Sequence, residues 1–277
     1  CDTDISPFFS YISENQRVEA FSSLKASGSV SQAVNIIEAV YGGSRLLLID
    51  EDTSAANFML RDENMRKLVQ NEPIIPFTDR IVELKKKGIS TILVIGGSSE
   101  YLKYADTIIL MDNYIPIEKT QYVRSCLCEA FDKDREKQSC QWTQERYLQM
   151  PARENEFFYS EYGQIENARY IKINDYIADI TKITAIICDG QINSLAYLTE
   201  KLLTDTGEEE IDLLERCRKK IEGLIENTRD TTLSNTHQYE LCLEMIRPLD
   251  LLMAVSRMRG LQYRKIDTEE ETCKEKN

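Results

Sequence analysis

The sequence predicts an α/β fold: a parallel sheet flanked by helices, followed by a small, mainly helical C-terminal domain. Two observations carry this. Short aliphatic runs, at Leu46-Leu47-Leu48-Ile49, Thr91-Ile92-Leu93-Val94-Ile95 and Thr107-Ile108-Ile109-Leu110-Met111, alternate with segments of helical period. Each run ends in acids or glycines, the sites where open α/β sheets place their ligands.

Taken in order, residues 1–26 read as irregular or extended, with Pro7, Phe8, Phe9 and Phe21 as anchors. Val30, Ala33, Val34, Ile37 and Val40 recur at helical spacing, and Gly42-Gly43 stop that helix. Ser29 and Gln32 have the spacing of a capping box. The Ser27-Gly28-Ser29 turn also offers amides, hydroxyls and a positive helix end, which together suit a phosphate. Leu46 to Ile49 then reads as a strand buried on both faces, running into Asp50-Glu51-Asp52. A tight turn at 53–57 leads to one helix over about 58–69 and, past Pro73 and Pro76, a second over about 77–87. Ser90 to Ile95 is the next strand, closed by Gly96-Gly97-Ser98-Ser99. A short helix over about 100–104 precedes a third strand of the same sheet, ending at Asp112.

Residues 118–168 are charged and without a strong period, and read as an insertion or linker. Beyond them, β-like pieces at 170–173 and 183–188 precede helical patterns over about 192–203, 209–225 and 239–259, the last broken at Pro248. The organisation expected is a core over 1–117, the insertion at 118–168, a helical accessory domain at 169–266 and a disordered tail at 267–277.

Lys+Arg number 34 against 47 Asp+Glu, a net charge of −13. Such a surface argues against general binding to a phosphate backbone. RNA or DNA stays a candidate partner only through a local basic groove, for which Lys85-Lys86-Lys87 and Arg216, Arg218, Lys219 and Lys220 are the clusters available. A single histidine excludes three-His metal sites and disfavours His-based triads. The eight cysteines are irregularly spaced and read as reduced thiols. No apolar run approaches the length of a membrane span, so a cytoplasmic location without membrane insertion is expected.

Spacing gives the acids their meaning. Ser27 precedes Asp50 by 23 positions, with one helix and a short turn between. This is the layout of an ABC-type nucleotide-binding domain, in which a signature motif precedes a Walker B strand. The chain most resembles the ABC-class ATPases, through Ser-Gly-Ser-Val-Ser-Gln at 27–32, Leu-Ile-Asp-Glu-Asp-Thr-Ser-Ala at 48–55, Asn-Phe-Met-Leu-Arg-Asp at 57–62 and Ile-Leu-Val-Ile-Gly-Gly-Ser at 92–98. The resemblance is specific over about 4–117 and weaker over 169–265.

It implies a partial P-loop NTPase sheet, ATP and Mg2+ as ligands, and ATP hydrolysis. Asp50 would hold the metal and Glu51 would orient the attacking water. Ser27, Gly28, Ser29 and Gln32 would form a signature surface that meets ATP across a homodimer, with Asn57 in the D-loop position. Gly96 stands where most ABC domains carry a switch histidine, so the amides of Gly96, Gly97 and Ser98 are expected to form an anion nest instead. No Gly-x-x-x-x-Gly-Lys-Ser/Thr occurs in the chain. Together with a first residue that is Cys, this suggests the C-terminal part of a longer ATPase, inactive alone. The alternative is a pseudo-ATPase or protein-interaction module.

Overall fold

The computed structural model describes residues 3–12, 17–23, 25–126, 140, 142, 145–149, 160–165, 168–205, 210–229 and 243–264. It divides into two compact units, Thr3–Trp142 and Thr143–Asn277.

The first unit is built on a βαβ arrangement. Helix α1 (Gly28–Tyr41) buries Val30, Ala33, Ile36, Ile37 and Tyr41 along one stripe and ends at Gly42. Strand β1 (Leu46–Asp50) follows. Two short helices come next, α2 (Ala56–Met59) and α3 (Glu63–Leu68). They replace the single helix expected there, because the Asp62 carboxylate caps a new start, accepting from the amides of Asn64 and Met65. Helix α4 (Phe77–Lys86) returns the chain to β2 (Ser90–Val94), which pairs in parallel with β1 from Leu46↔Ser90 to Asp50↔Val94. A 3-10 turn at Ser99–Tyr104 follows.

The core of this unit gathers Phe8, Leu47, Phe58, Met59, Phe77, Leu84 and Trp142, among others. Arg80 ties the N-terminal segment to it, donating through Nε to the Pro7 carbonyl at 2.7 Å. Trp142 is buried, and the amide of Cys140 donates to Glu83, so this part of the segment expected as an insertion belongs to the first unit.

Two expectations for the sheet are corrected. First, β1 is covered on one face only: Leu47 is buried while Leu46 and Leu48 are exposed, as are Ile92 and Val94 on β2. The aliphatic run suits burial on both faces, but α1 and α4 supply a single layer. Second, β3 (Ile109–Asp112) is not a third parallel strand. It forms an antiparallel hairpin with β4 (Ile115–Glu118), and its apolar side chains are likewise exposed. Asn113 and Tyr114 make the turn, both at positive φ (48° and 66°) as a two-residue hairpin loop demands. Helix α5 (Thr120–Cys126) follows.

The second unit is α+β rather than mainly helical. Strand β5 (Tyr147–Leu148) pairs with β9 (Tyr263–Arg264). A three-stranded antiparallel sheet is made by β6 (Ser160–Ile165), β7 (Ala168–Ile173) and β8 (Tyr176–Asp179). Helices α6 (Asp189–Thr204), α7 (Leu213–Arg229) and α8 (Pro248–Arg257) pack with it around Leu195, Leu198, Leu202, Leu251 and Val255. The piece expected as a strand at 183–188 is a run of turns, closed by Ile183→Ile180 and Ile186→Ile183 backbone bonds. Pro248 starts α8 rather than breaking a longer helix; Arg247 is its N-cap and Asp250 closes a capping box. The expected tail, 267–277, lies outside the described residues.

Candidate functional site

The site lies at the carboxyl ends of β1 and β2, and two hydrogen-bonded clusters build it. The first joins the start of α1 to the turn after Asp50. Ser27 is the N-cap of α1, its hydroxyl accepting from the Val30 amide. That leaves Ser29 and Gln32 free of the capping-box role, and both turn to the segment 54–57. The buried Ser29 hydroxyl donates to Asn57 Oδ1 at 2.7 Å. Gln32 uses both ends of its amide: Nε2 donates to Ser54 Oγ at 2.9 Å, and Oε1 accepts from the Ala55 amide at 2.9 Å. Ser54 Oγ in turn donates to the Asp50 carbonyl at 2.7 Å, and Thr53 Oγ1 donates to the same carbonyl. A continuous chain of bonds thus runs from α1 to the backbone of the first acid. Ser27 and Gly28 stay exposed at the surface.

Because Gln32 satisfies two half-buried groups at once, Gln32→Ala is expected to cost about 1–3 kcal/mol. Gln32→Glu keeps the acceptor for Ala55 and is expected to cost less. Urea unfolding followed by the fluorescence of Trp142, the sole tryptophan, would measure both; an unchanged midpoint in Gln32→Ala would show the bridge to be idle.

The second cluster holds Glu51. Its backbone amide extends the sheet ladder, donating to the Val94 carbonyl at 3.0 Å. Its carboxylate accepts at Oε2 from the amides of Gly96 (3.2 Å) and Gly97 (3.0 Å). Burial, and after it the charge of the neighbouring Glu51 carboxylate, push the Tyr101 phenol up to about 12. Gly97 allows the close approach, since a Cβ there would stand 3.3 Å from Glu51 Oε1. The Gly96 and Gly97 amides thus hold the protein's own carboxylate. The Ser98 hydroxyl caps the 3-10 turn, accepting from the Glu100 amide at 3.2 Å.

Asp50 is exposed at the strand end, one carboxylate oxygen accepting from the Asp52 amide at 3.2 Å. Among the described residues no group of three or more His, Cys, Asp or Glu side chains could hold a metal by itself. A single carboxylate suits Mg2+, which keeps most of its waters and takes other ligands from phosphate oxygens.

Ser54 is the site residue that sequence reasoning missed: its hydroxyl accepts from Gln32 and donates to the Asp50 carbonyl, and only those bonds single it out. The basic clusters expected as a nucleic-acid groove are partly consumed. Lys85 pairs with Asp106 and Lys220 with Asp205, while Arg216 is fully buried, donating to the Leu202 carbonyl. No described helix is long and apolar enough to cross a membrane.

Residues 1–146 match the family model of a P-loop domain, that of ABC_ATPase. No curated protein matches the chain. The match takes in α1, both parallel strands and every residue of the two clusters. The family in question is one of nucleotide-binding hydrolases, and with more than half of its length matched the chain belongs to the ABC-class ATPases.

Proposed function

We propose that the chain carries the signature, Walker B and D-loop part of an ATP-hydrolysing site, and that the phosphate cradle comes from polypeptide beyond these 277 residues. The observation that carries this is the Glu51 carboxylate, fixed on the Gly96 and Gly97 amides beside Asp50 at the end of a parallel strand pair. The bare faces of β1 and β2 support it, since exposed aliphatics on a sheet call for a second covering layer.

In this reading Asp50 would hold Mg2+ through water, and the metal would neutralise charge on the β- and γ-phosphates. Glu51 orients the water that attacks the γ-phosphorus, so catalysis works by positioning and charge, without a covalent step. Ser27 and Gly28, exposed at the positive end of α1, meet ATP held by a second copy of the chain. Ser29, Gln32 and Asn57 couple that contact to the Asp50 backbone. RNA or DNA as the partner would have to be read by residues other than Arg216.

The test is Asp50→Asn in the chain assembled with its P-loop part. Turnover is expected to fall about 100-fold, and the Mg2+ requirement to rise. Unchanged turnover and an unchanged Mg2+ titration would overturn the reading. They would favour a second one, a non-catalytic assembly module, for which the exposed apolar faces of β1, β2 and the β3–β4 hairpin speak.

A further inference from the structure

We propose that the Glu51 carboxylate is a latch on its own site: it competes with the terminal phosphate of ATP for the Gly96 and Gly97 amides, and a phosphate oxygen that takes the amides frees Glu51 to orient the attacking water. The inference rests on the ATPase reading above and concerns the regulation of that same site.

The first of these amides is diverted from the sheet. Asp50 pairs with Val94, and the Glu51 amide bonds the Val94 carbonyl. The next rung of a parallel ladder would carry the Gly96 amide to the Glu51 carbonyl. That carbonyl accepts instead from the Ser54 amide at 3.0 Å, and the Gly96 amide turns to Oε2 of the Glu51 side chain. Gly97 adds a second amide to the same oxygen. Adjacent amides that converge on one oxygen suit a phosphate oxygen as well as a carboxylate.

The contact is built to exchange. Both hydrogen bonds are exposed, so water competes for each partner. The Asp52 carboxylate stands on the Gly96 side of the pair, 3.7 Å from where a Cβ on that glycine would lie. A like charge there weakens the hold on Glu51. The same charge opposes phosphate, which in the reading above arrives with Mg2+ at Asp50 to offset it. On the Gly97 side, a Cβ would stand 3.3 Å from Glu51 Oε1. Neither glycine is at positive φ, so alanine fits the backbone at both. Gly97→Ala therefore presses on the carboxylate and leaves the amide in place.

The test uses the 277-residue chain and needs no turnover. Amide hydrogen exchange at Gly96 and Gly97 is followed by NMR. Inorganic phosphate is then titrated against the same signals at constant Mg2+ and ionic strength. A carboxylate that holds the amides roughly nine-tenths of the time slows their exchange about ten-fold and weakens phosphate binding by the same factor. Glu51→Ala is therefore expected to exchange about ten-fold faster at both amides and to bind phosphate about ten-fold tighter. Glu51→Gln keeps an acceptor for the amides and stays largely latched. Gly97→Ala should speed exchange at Gly96 with no change of charge. Asp52→Asn removes a neighbouring charge but leaves the hydrogen bonds of Glu51 in place, and should tighten phosphate by less than about three-fold.

Exchange at the parent's rate in Glu51→Ala would overturn the latch itself. Phosphate that binds Glu51→Ala no better than the parent, or a gain in Asp52→Asn as large as that in Glu51→Ala, would show that carboxylate and phosphate do not compete. Each of these results leaves the ATPase reading to stand on Asp50→Asn, and unchanged turnover in Asp50→Asn would overturn that reading without altering the exchange rates.

Discussion

Glu51→Gln is expected to lower ATP turnover by about 10²–10³-fold in the assembled enzyme while ATP affinity stays within about two-fold. The reason lies in what the glutamine keeps and what it loses. Its carbonyl oxygen can still accept from the Gly96 and Gly97 amides, so the loop at 96–98 need not move. Its NH2 group offers water a donor where the carboxylate offered an acceptor. Shape survives and the oriented negative charge does not. Removal of an interaction used in the transition state appears in kcat, whereas loss of uniform binding would appear in KM. Steady-state kinetics with a parallel nucleotide-binding titration separates the two, and turnover equal to the parent's would take Glu51 out of the mechanism.

The elements that a single chain dictates were legible in the sequence. The helix at 28–41 follows from Val30, Ala33, Ile37 and the Gly42-Gly43 stop, and both parallel strands follow from short aliphatic runs, the first bounded by Gly42-Gly43 and acids and the second by glycines. The acids and glycines of the site were legible too, because their spacing is fixed by the strands that carry them. What the sequence concealed depends on partners distant along the chain. Leu48 and Ile92 are as aliphatic as Leu47, yet only the position facing α1 and α4 is covered. Pro116 within β4 argues against a strand, but the hairpin tolerates it at an edge where no third strand needs its missing amide. Asp62 looks like an ordinary acid inside a helical pattern until its side chain caps a new helix.

The roles within the site were harder still to read. Ser29 and Gln32 have capping-box spacing, but Ser27 takes the cap and frees them for Asn57, Ser54 and Ala55. Gly96 and Gly97 were readable as an anion nest, while the identity of the anion required the fold, since Glu51 lies 45 positions away from Gly96. Ser54 carries no local signal, because its place in the site rests on a bond from Gln32, 22 positions away.

Phe58→Ala is the substitution expected to cost most in stability, about 3–5 kcal/mol for a fully buried aromatic ring. Phe58 has no exposed surface, and its ring centroid lies 4.9 Å from that of Phe8, which meets Trp142 edge-on at 5.2 Å. Truncation therefore leaves a cavity at one end of a three-ring stack that also secures the N-terminal segment. The position matters for the site as well. Phe58 stands between Asn57, which accepts from Ser29, and Met59, whose sulfur accepts from Gln32 at 3.4 Å. The ring anchors α2, and α2 holds the segment 54–57 against α1. Phe58→Leu keeps most of the volume and is expected to cost about 1.5 kcal/mol. Trp142 forms the other end of the stack, so its fluorescence during urea unfolding reports on this unit directly. A loss below about 1 kcal/mol in Phe58→Ala would mean that the remaining contacts, not this ring, fasten α2. If the loss has the expected size, Phe58→Leu should retain the Gln32 bridge and most of the turnover, whereas Gln32→Ala should lose coupling to Asp50 with the ring stack intact. The two substitutions thus separate what holds the segment 54–57 in place from what connects it to the acid.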